Sequence, residues 1–129
     1  MPSFHDTAMS AAAPEEVWKL LYDPSRFPEW WSGVGTVEVG GAGRGYTMYP
    51  DGYPDFPMAQ LLETRRTEQR VTISCLVSDL RFEWRLAPEG DGTLISVEVE
   101  IPEAEAGRLD AQREIIAGSM RRLAELAAR

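Results

Sequence analysis

The segment Arg81 to Ile101 reads as two strands around the turn Glu89-Gly90-Asp91-Gly92, and that turn decides which residues face each other. Closing a hairpin there sets Leu86 opposite Ile95, Trp84 opposite Val97 and Phe82 opposite Val99. All six are apolar and share one face, because strand side chains alternate and a one-residue slip would turn every one over. The other face pairs Arg81 with Glu100 and sets Arg85 diagonal to Glu98. A preceding hairpin, turning near Asp79, extends the apolar face by placing Val77 against Phe82, Cys75 against Trp84 and Ile73 against Leu86. A sheet with one continuous apolar face needs a cover, and the rest of the chain must supply it.

The cover is legible at the C-terminus. Pro102 ends the last strand, and Glu103 to Arg129 follows a helical pattern. Leu109, Ile116, Met120, Leu123 and Ala127 recur at spacings of three, four and seven, with Arg113, Arg121, Arg122 and Glu125 mainly off that stripe. Gly118 interrupts the helix at a cost of ~1 kcal/mol relative to alanine, a place for close packing or for room beside a ligand.

Phe4 to Ala12 reads as a first strand. A short helix follows from Pro14, with Glu15 and Glu16 in its first turn and an apolar stripe at Val17, Leu20 and Leu21. Asp23-Pro24 stops it, and a second short helix covers Pro24 to Trp30. From residue 34 the period changes to two, giving strands at Val37–Val39 and Tyr46–Tyr49 joined by the glycine-rich GGAGRG, Gly40 to Gly45. The segment Tyr49 to Pro57 holds three prolines and a glycine and reads as a loop or lid, with Tyr49, Tyr53 and Phe56 on it. Strands near 58–65, 70–78, 80–87 and 93–101 complete the sheet. The fold class is therefore α+β: about seven antiparallel strands curved around a long C-terminal helix, with two short helices after the first strand.

At 129 residues the chain suits a single domain with one sizeable core. A net charge of −8 repels phosphate backbones and anionic lipid, so nucleic acid is not expected as a partner. No apolar run approaches the ~20 residues of a membrane span, and the N-terminus has no signal-peptide pattern, so the expectation is a cytoplasmic protein without membrane insertion. Five arginines (Arg65, Arg66, Arg70, Arg81, Arg85) crowd the middle of the chain and read as a solvated sheet face with cross-strand charge pairs.

The stretch AAPEEVWKLLYDPSRFPEWW, Ala12 to Trp31, resembles the opening of the START-like, helix-grip (SRPBCC) superfamily in its polyketide cyclase/dehydrase branch. Gly43 to Met48 and GDGTLISVEVEIP, Gly90 to Pro102, are similar to two further segments of that family. The resemblance covers nearly the whole chain and implies one helix-grip domain over residues 1–129. It also implies a cavity between sheet and long helix, where periodicity alone implies only a packed interface. The superfamily includes cyclases, hydrolase-like enzymes, lipid carriers and hormone receptors, so the likeness bears on fold more than on activity. The strands and final helix here are short for a full-size aromatase/cyclase, which argues against a large polycyclic intermediate.

Candidate chemistry is sparse. One histidine and one cysteine are too few for an ordinary zinc site, and no glycine-rich segment opens a helix with nucleotide-binding spacing, so neither metal nor cofactor is expected. His5 and Asp6 are successive strand residues that point to opposite faces, so they cannot act together; His5 reads as outward-facing. Cys75 reads as a buried small hydrophobe. Asp6, on the inward phase, is the candidate general base, with a pKa raised by desolvation. Trp30, Tyr46, Met48, Phe82 and Trp84 are the candidate ligand-binding residues. An aromatic row of this kind is core or the wall of a pocket. Three functional readings follow: a binder of a small hydrophobic molecule, a cyclase/dehydratase-type enzyme moving protons through an acid or tyrosine, and an interaction module with a filled core.

Overall fold

The computed structural model describes residues 2–40 and 45–129. Seven strands, β1 (Ser3–Ser10), β2 (Val34–Val39), β3 (Gly45–Pro50), β4 (Met58–Arg65), β5 (Arg70–Cys75), β6 (Arg81–Glu89) and β7 (Gly92–Glu100), form one antiparallel sheet in the order β1-β7-β6-β5-β4-β3-β2. The sheet stays open, with β1 and β2 at its edges. Between β1 and β2 lie the helix α1 (Pro14–Leu21) and a 3₁₀ segment, Pro24–Glu29. After β7 comes a second 3₁₀ segment, Glu103–Arg108, and then the long helix α2 (Leu109–Ala127). The two short helices expected after the first strand are present, the second wound as 3₁₀. Pro24 and Pro28 withhold two amide donors from it, and Asp23 caps it by accepting from the Ser25 amide at 3.0 Å and the Ser25 hydroxyl at 2.6 Å.

The β6–β7 register is the one the turn dictates: Phe82 faces Val99, Trp84 faces Val97, Leu86 faces Ile95 and Arg81 faces Glu100. The β5–β6 register differs by four residues from the sequence expectation. Ile73 faces Phe82 and Val71 faces Trp84, while Val77 and Cys75 have no partner on β6. Strand β5 ends at Cys75, and the chain reverses through Leu76–Leu80 with Asp79 left-handed at φ 61°. The Asp79 amide donates to the Cys75 carbonyl at 2.9 Å and the Cys75 amide to the Leu80 carbonyl at 2.8 Å. A slip of four keeps the inner residues inside, so the apolar face survives. Leu76 and Val77, expected to extend the strand, instead stand 59% and 54% exposed.

The C-terminal helix is also entered differently. Residues 103–108 wind as 3₁₀ and only Leu109–Ala127 is α-helical. Gly118 accounts for neither tight packing nor a ligand, since a Cβ there would meet only the far end of Arg121 at 3.8 Å. The turn expected over GGAGRG and the start of the Gly43–Met48 match fall on residues 41–44, outside the described residues.

The inner face of the sheet, α1, the first 3₁₀ segment and α2 enclose one core. Its densest part is aromatic. Trp30 and Trp31 stack with centroids 5.3 Å apart, and Trp84 meets both edge-on at 5.3 and 5.4 Å. Such contacts add about 0.5–1.5 kcal/mol each beyond the area they bury. The Trp30 indole donates to the Leu20 carbonyl at 3.0 Å, satisfying an acceptor in the last turn of α1. The C-terminal half of α2 is tied down by Ser10, whose hydroxyl donates to the Ala124 carbonyl at 2.8 Å.

All five mid-chain arginines carry ion pairs, among them Arg81–Glu100 at 3.1 Å and Arg66–Glu15 at 2.9 Å. Arg85 bonds Glu83 on its own strand at 3.0 Å, not the diagonal Glu98. Partly exposed pairs of this kind contribute little, about 0–1 kcal/mol. No helix among the described residues is long and apolar enough to cross a membrane.

Candidate ligand cavity

One end of the core is left open. A cavity of about 160 Å³ lies between the N-terminal part of α2 and the part of the sheet that carries β2 to β6. Its floor is built by inward-facing strand residues: Val34 on β2, Tyr46 and Met48 on β3, Met58 and Gln60 on β4, Cys75 on β5 and Phe82 on β6. Trp31, Ser32 and Gly33, leaving the first 3₁₀ segment, form one side. Arg108, Gln112 and Ile115 roof it from the entry of α2, and Pro50 begins the proline-rich loop at its edge. The void forms here because the aromatic cluster fills the space beside it. Besides Trp31, two rings of that cluster reach the wall, Phe82 edge-on to Trp31 at 5.1 Å and Tyr46 edge-on to Phe27 at 5.7 Å, and beyond them the lining passes to Met48, Met58, Gln60 and Gln112.

Of the sequence candidates, Tyr46, Met48 and Phe82 stand in the cavity wall. Trp30 and Trp84 do not: both are 0% exposed and sealed within the aromatic cluster behind the wall. Trp31 takes the position expected of Trp30. The sequence could not separate two adjacent tryptophans at the end of a 3₁₀ segment, where neither strand nor helix periodicity assigns a side. Tyr49, Tyr53 and Phe56 are not in the wall either; Tyr53 and Phe56 are exposed, and only Pro50 represents the lid segment. Asp6 lies on β1, on the same phase as buried Phe4 and Ser10, but at the sheet edge opposite β2 and outside the cavity. Its carboxylate accepts from the Thr7 amide at 2.8 Å. His5 is exposed.

Two glutamines escape the sequence reading. Gln60 shares the inward phase of β4 with Met58 and Leu62, and Gln112 falls between Leu109 and Ile116 on the apolar stripe of α2. A polar residue in an apolar phase was the available signal. Both are buried. Gln60 donates from Nε2 to the Met58 carbonyl and to Cys75 Sγ, each at 3.3 Å.

The titratable groups in the wall are tuned in opposite directions. Burial pushes the Tyr46 phenol well above its ordinary value of 10.0, and Cys75 adds to the rise, so it stays protonated. Burial also pushes the Cys75 thiol up. Hydrogen bonds from Ser78, from the Val77 backbone and from Gln60 outweigh that and leave it below its ordinary value. The Ser78 amide stands 3.5 Å from Sγ. Cys75 is thus buried as expected, but it is polarised as well as packed. Among the described residues no group of three or more His, Cys, Asp or Glu is placed to hold a metal ion.

Residues 1–129 match the family of polyketide cyclase/dehydrase and lipid transport proteins over the whole chain. The chain belongs to that family. Among solved structures, this polyketide cyclase/dehydrase-like protein is similar to XoxI from Bacillus cereus, with 14% identity and a TM-score of 0.81 over 98% of this chain and 95% of that one. It is similar also to BexL, a di-domain ARO/CYC protein of the BE-7585A biosynthetic pathway, with 12% identity and a TM-score of 0.78. StfQ, the di-domain ARO/CYC protein of the steffimycin pathway, matches at 12% identity and a TM-score of 0.76. The present chain is 97% covered in both comparisons and spans 46% of BexL and 50% of StfQ, about one domain of each. At these identities the likeness establishes the shared fold alone. No match was found among curated proteins.

Proposed function

We propose that this protein binds a small apolar molecule, of about one ring, in the cavity between α2 and the sheet, and that residues 1–129 act as one binding domain. The observation that carries this reading is the cavity itself: about 160 Å³ bounded chiefly by Trp31, Met48, Met58, Phe82 and Ile115. A dry apolar cavity of ~150 Å³ is large enough for benzene, whereas pockets for drug-sized ligands run to roughly 300–1,000 Å³. The size favours a compact metabolite over a polycyclic one. The aromatic cluster supplies the rigidity such a site needs, since a wall that must not collapse onto the void has to be held from behind.

Binding without catalysis is the reading favoured over a cyclase. The cavity wall carries no carboxylate or histidine among the described residues, its one phenol is held protonated, and its one thiol, Cys75, is already taken up by hydrogen bonds from Gln60 and Ser78. General acid–base work near neutral pH calls for a group whose pKa lies near that pH. Asp6, the acid that sequence offered for that role, stands outside the cavity.

Titration of the labelled protein with toluene, followed by amide chemical shifts, tests the proposal. The expected result is saturable 1:1 binding with perturbations centred on residues 46–48, 58–60 and 112–115. Ile115→Trp, which fills the void, should abolish it while the fold remains. Absence of saturable shifts in the native protein would return the filled-core interaction module to first place.

A further inference from the structure

Three polar side chains line the cavity with hydrogen-bonding capacity that the protein leaves unused. Gln112 is only 8% exposed, and its carboxamide makes no hydrogen bond to any described residue. Gln60 is 5% exposed; both amide donors are engaged, by the Met58 carbonyl and Cys75 Sγ, and its carbonyl oxygen receives no donor among the described residues. Tyr46 is 6% exposed, and its hydroxyl likewise has no partner among them. Among the described residues the one fully enclosed side-chain polar atom without a partner is the Trp84 indole nitrogen, sealed in the aromatic cluster. The unpaired groups of Gln112, Gln60 and Tyr46 instead open onto the cavity, where water or a guest completes them. Gln112 offers both donors and an acceptor, Gln60 an acceptor, and the phenol one of each.

Buried charge is missing from the same wall among the described residues. Its one full cation among the described residues, Arg108, is exposed at the mouth and paired with Glu105 at 3.6 Å. An ionised ligand would give up its hydration for a cavity with no buried counter-charge, which is strongly unfavourable. At Tyr46, burial raises the pKa and so reports the same penalty on an anion; at Cys75 hydrogen bonds from Ser78, Val77 and Gln60 outweigh it.

Resting on the cavity-binding reading above, we infer that the ligand is an uncharged, single-ring molecule carrying one polar group that both donates and accepts a hydrogen bond, of the carboxamide or lactam type, and that Gln112 is its principal reader with Gln60 as a second acceptor. A carboxamide pairs with Gln112 through two parallel N–H···O bonds, each amide giving a donor and taking one. Apolar contact with Phe82 and Met48 then holds the ring. The glutamines contribute specificity, because a ligand that displaces water but lacks the polar group leaves them unpaired.

Three probes of nearly equal size separate the possibilities on the intact protein: toluene, benzamide and benzoate, each titrated by chemical-shift perturbation. Benzamide should bind at least about tenfold more tightly than toluene, the effect of one well-formed buried hydrogen bond or more, and benzoate should bind more weakly than benzamide. Gln112→Met, which keeps the length of the side chain and removes the amide, should bring benzamide to within about twofold of toluene measured on the same variant. Gln60→Met should produce a smaller loss of the same kind. Toluene binding equal to benzamide in the native protein would overturn the inference while leaving the apolar cavity reading intact. Benzoate binding tightest would overturn it in favour of charge recognition by Arg108. Failure of all three probes to bind would remove both readings together.

Discussion

The ring of Trp31 stands edge-on to that of Phe82 with centroids 5.1 Å apart, and this pair is the boundary between the sealed core and the cavity. Behind it Trp30 and Trp84 are fully enclosed; in front of it the wall passes to Met48, Met58 and Gln60. Residues one position apart in sequence therefore do different work.

That division predicts unequal costs for two tryptophans. Trp84→Ala removes a side chain enclosed on all sides and should cost about 3–5 kcal/mol. Trp31→Ala opens into an existing void, so fewer contacts are lost and the cost should be smaller. It should also enlarge the site enough to admit a two-ring probe such as naphthalene. Urea unfolding of both variants, with the probe titration on Trp31→Ala, checks the pair. Equal costs would mean that the boundary is not where the rings place it.

The two shifted groups in the wall predict a pH profile. Tyr46 holds its proton in the fold beyond the value of 10.0 at which the unfolded chain releases it. Its contribution is complete below pH 10.0 and lost as pH rises through and above it, with a slope approaching 1.4 kcal/mol per pH unit. Cys75 runs the other way: its folded value lies below 9.0, so its contribution is present above pH 9.0 and is lost as pH falls through the folded value. Stability measured in urea from pH 7 to 11 should rise slightly towards pH 9 and fall above 10. Tyr46→Phe should flatten the fall relative to the native protein. A Tyr46→Phe curve parallel to the native one above pH 10 would refute the assignment.

Two glycines should respond oppositely to alanine. A Cβ on Gly92 would lie 2.1 Å from the Ser10 carbonyl oxygen, a backbone atom that cannot step aside without breaking the β1–β7 ladder. Gly92→Ala should lower the melting temperature sharply or prevent folding. At Gly118 the added methyl meets nothing closer than the tip of Arg121, and alanine should stabilise by about 0.5–1 kcal/mol through helix propensity. Thermal unfolding of the two variants beside the native chain decides both.

How far the sequence revealed this arrangement depends on what each signal encodes. The β6–β7 register was readable because Gly90 and Gly92 permit a tight reversal and both strands alternate cleanly from it. The β5–β6 register was not, because Leu76 and Val77 look like strand residues and hydrophobicity alone cannot say that a chain has already turned. A slip of four is invisible to face parity, which is why the apolar face came out right while the pairing did not. The site divides similarly. Tyr46, Met48 and Phe82 were placed by strand phase, whereas choosing Trp31 over Trp30 required the path of a 3₁₀ segment. Gln60 and Gln112 announce themselves only as polar residues on apolar phases, which strand and helix periodicity alone does not tie to a void.

The Ser10 bond to the Ala124 carbonyl anchors the far end of α2, while the end over the cavity is joined to β7 through a 3₁₀ segment. At the cavity end Arg113 still lies over the Phe4 ring at 5.5 Å. The contacts that hold the fold, the aromatic block and the Ser10 tie, therefore stand apart from the residues that line the void. On the proposed binding reading, changes at Met48, Met58 or Ile115 would reshape the void while the residues that keep the chain folded remain as they are.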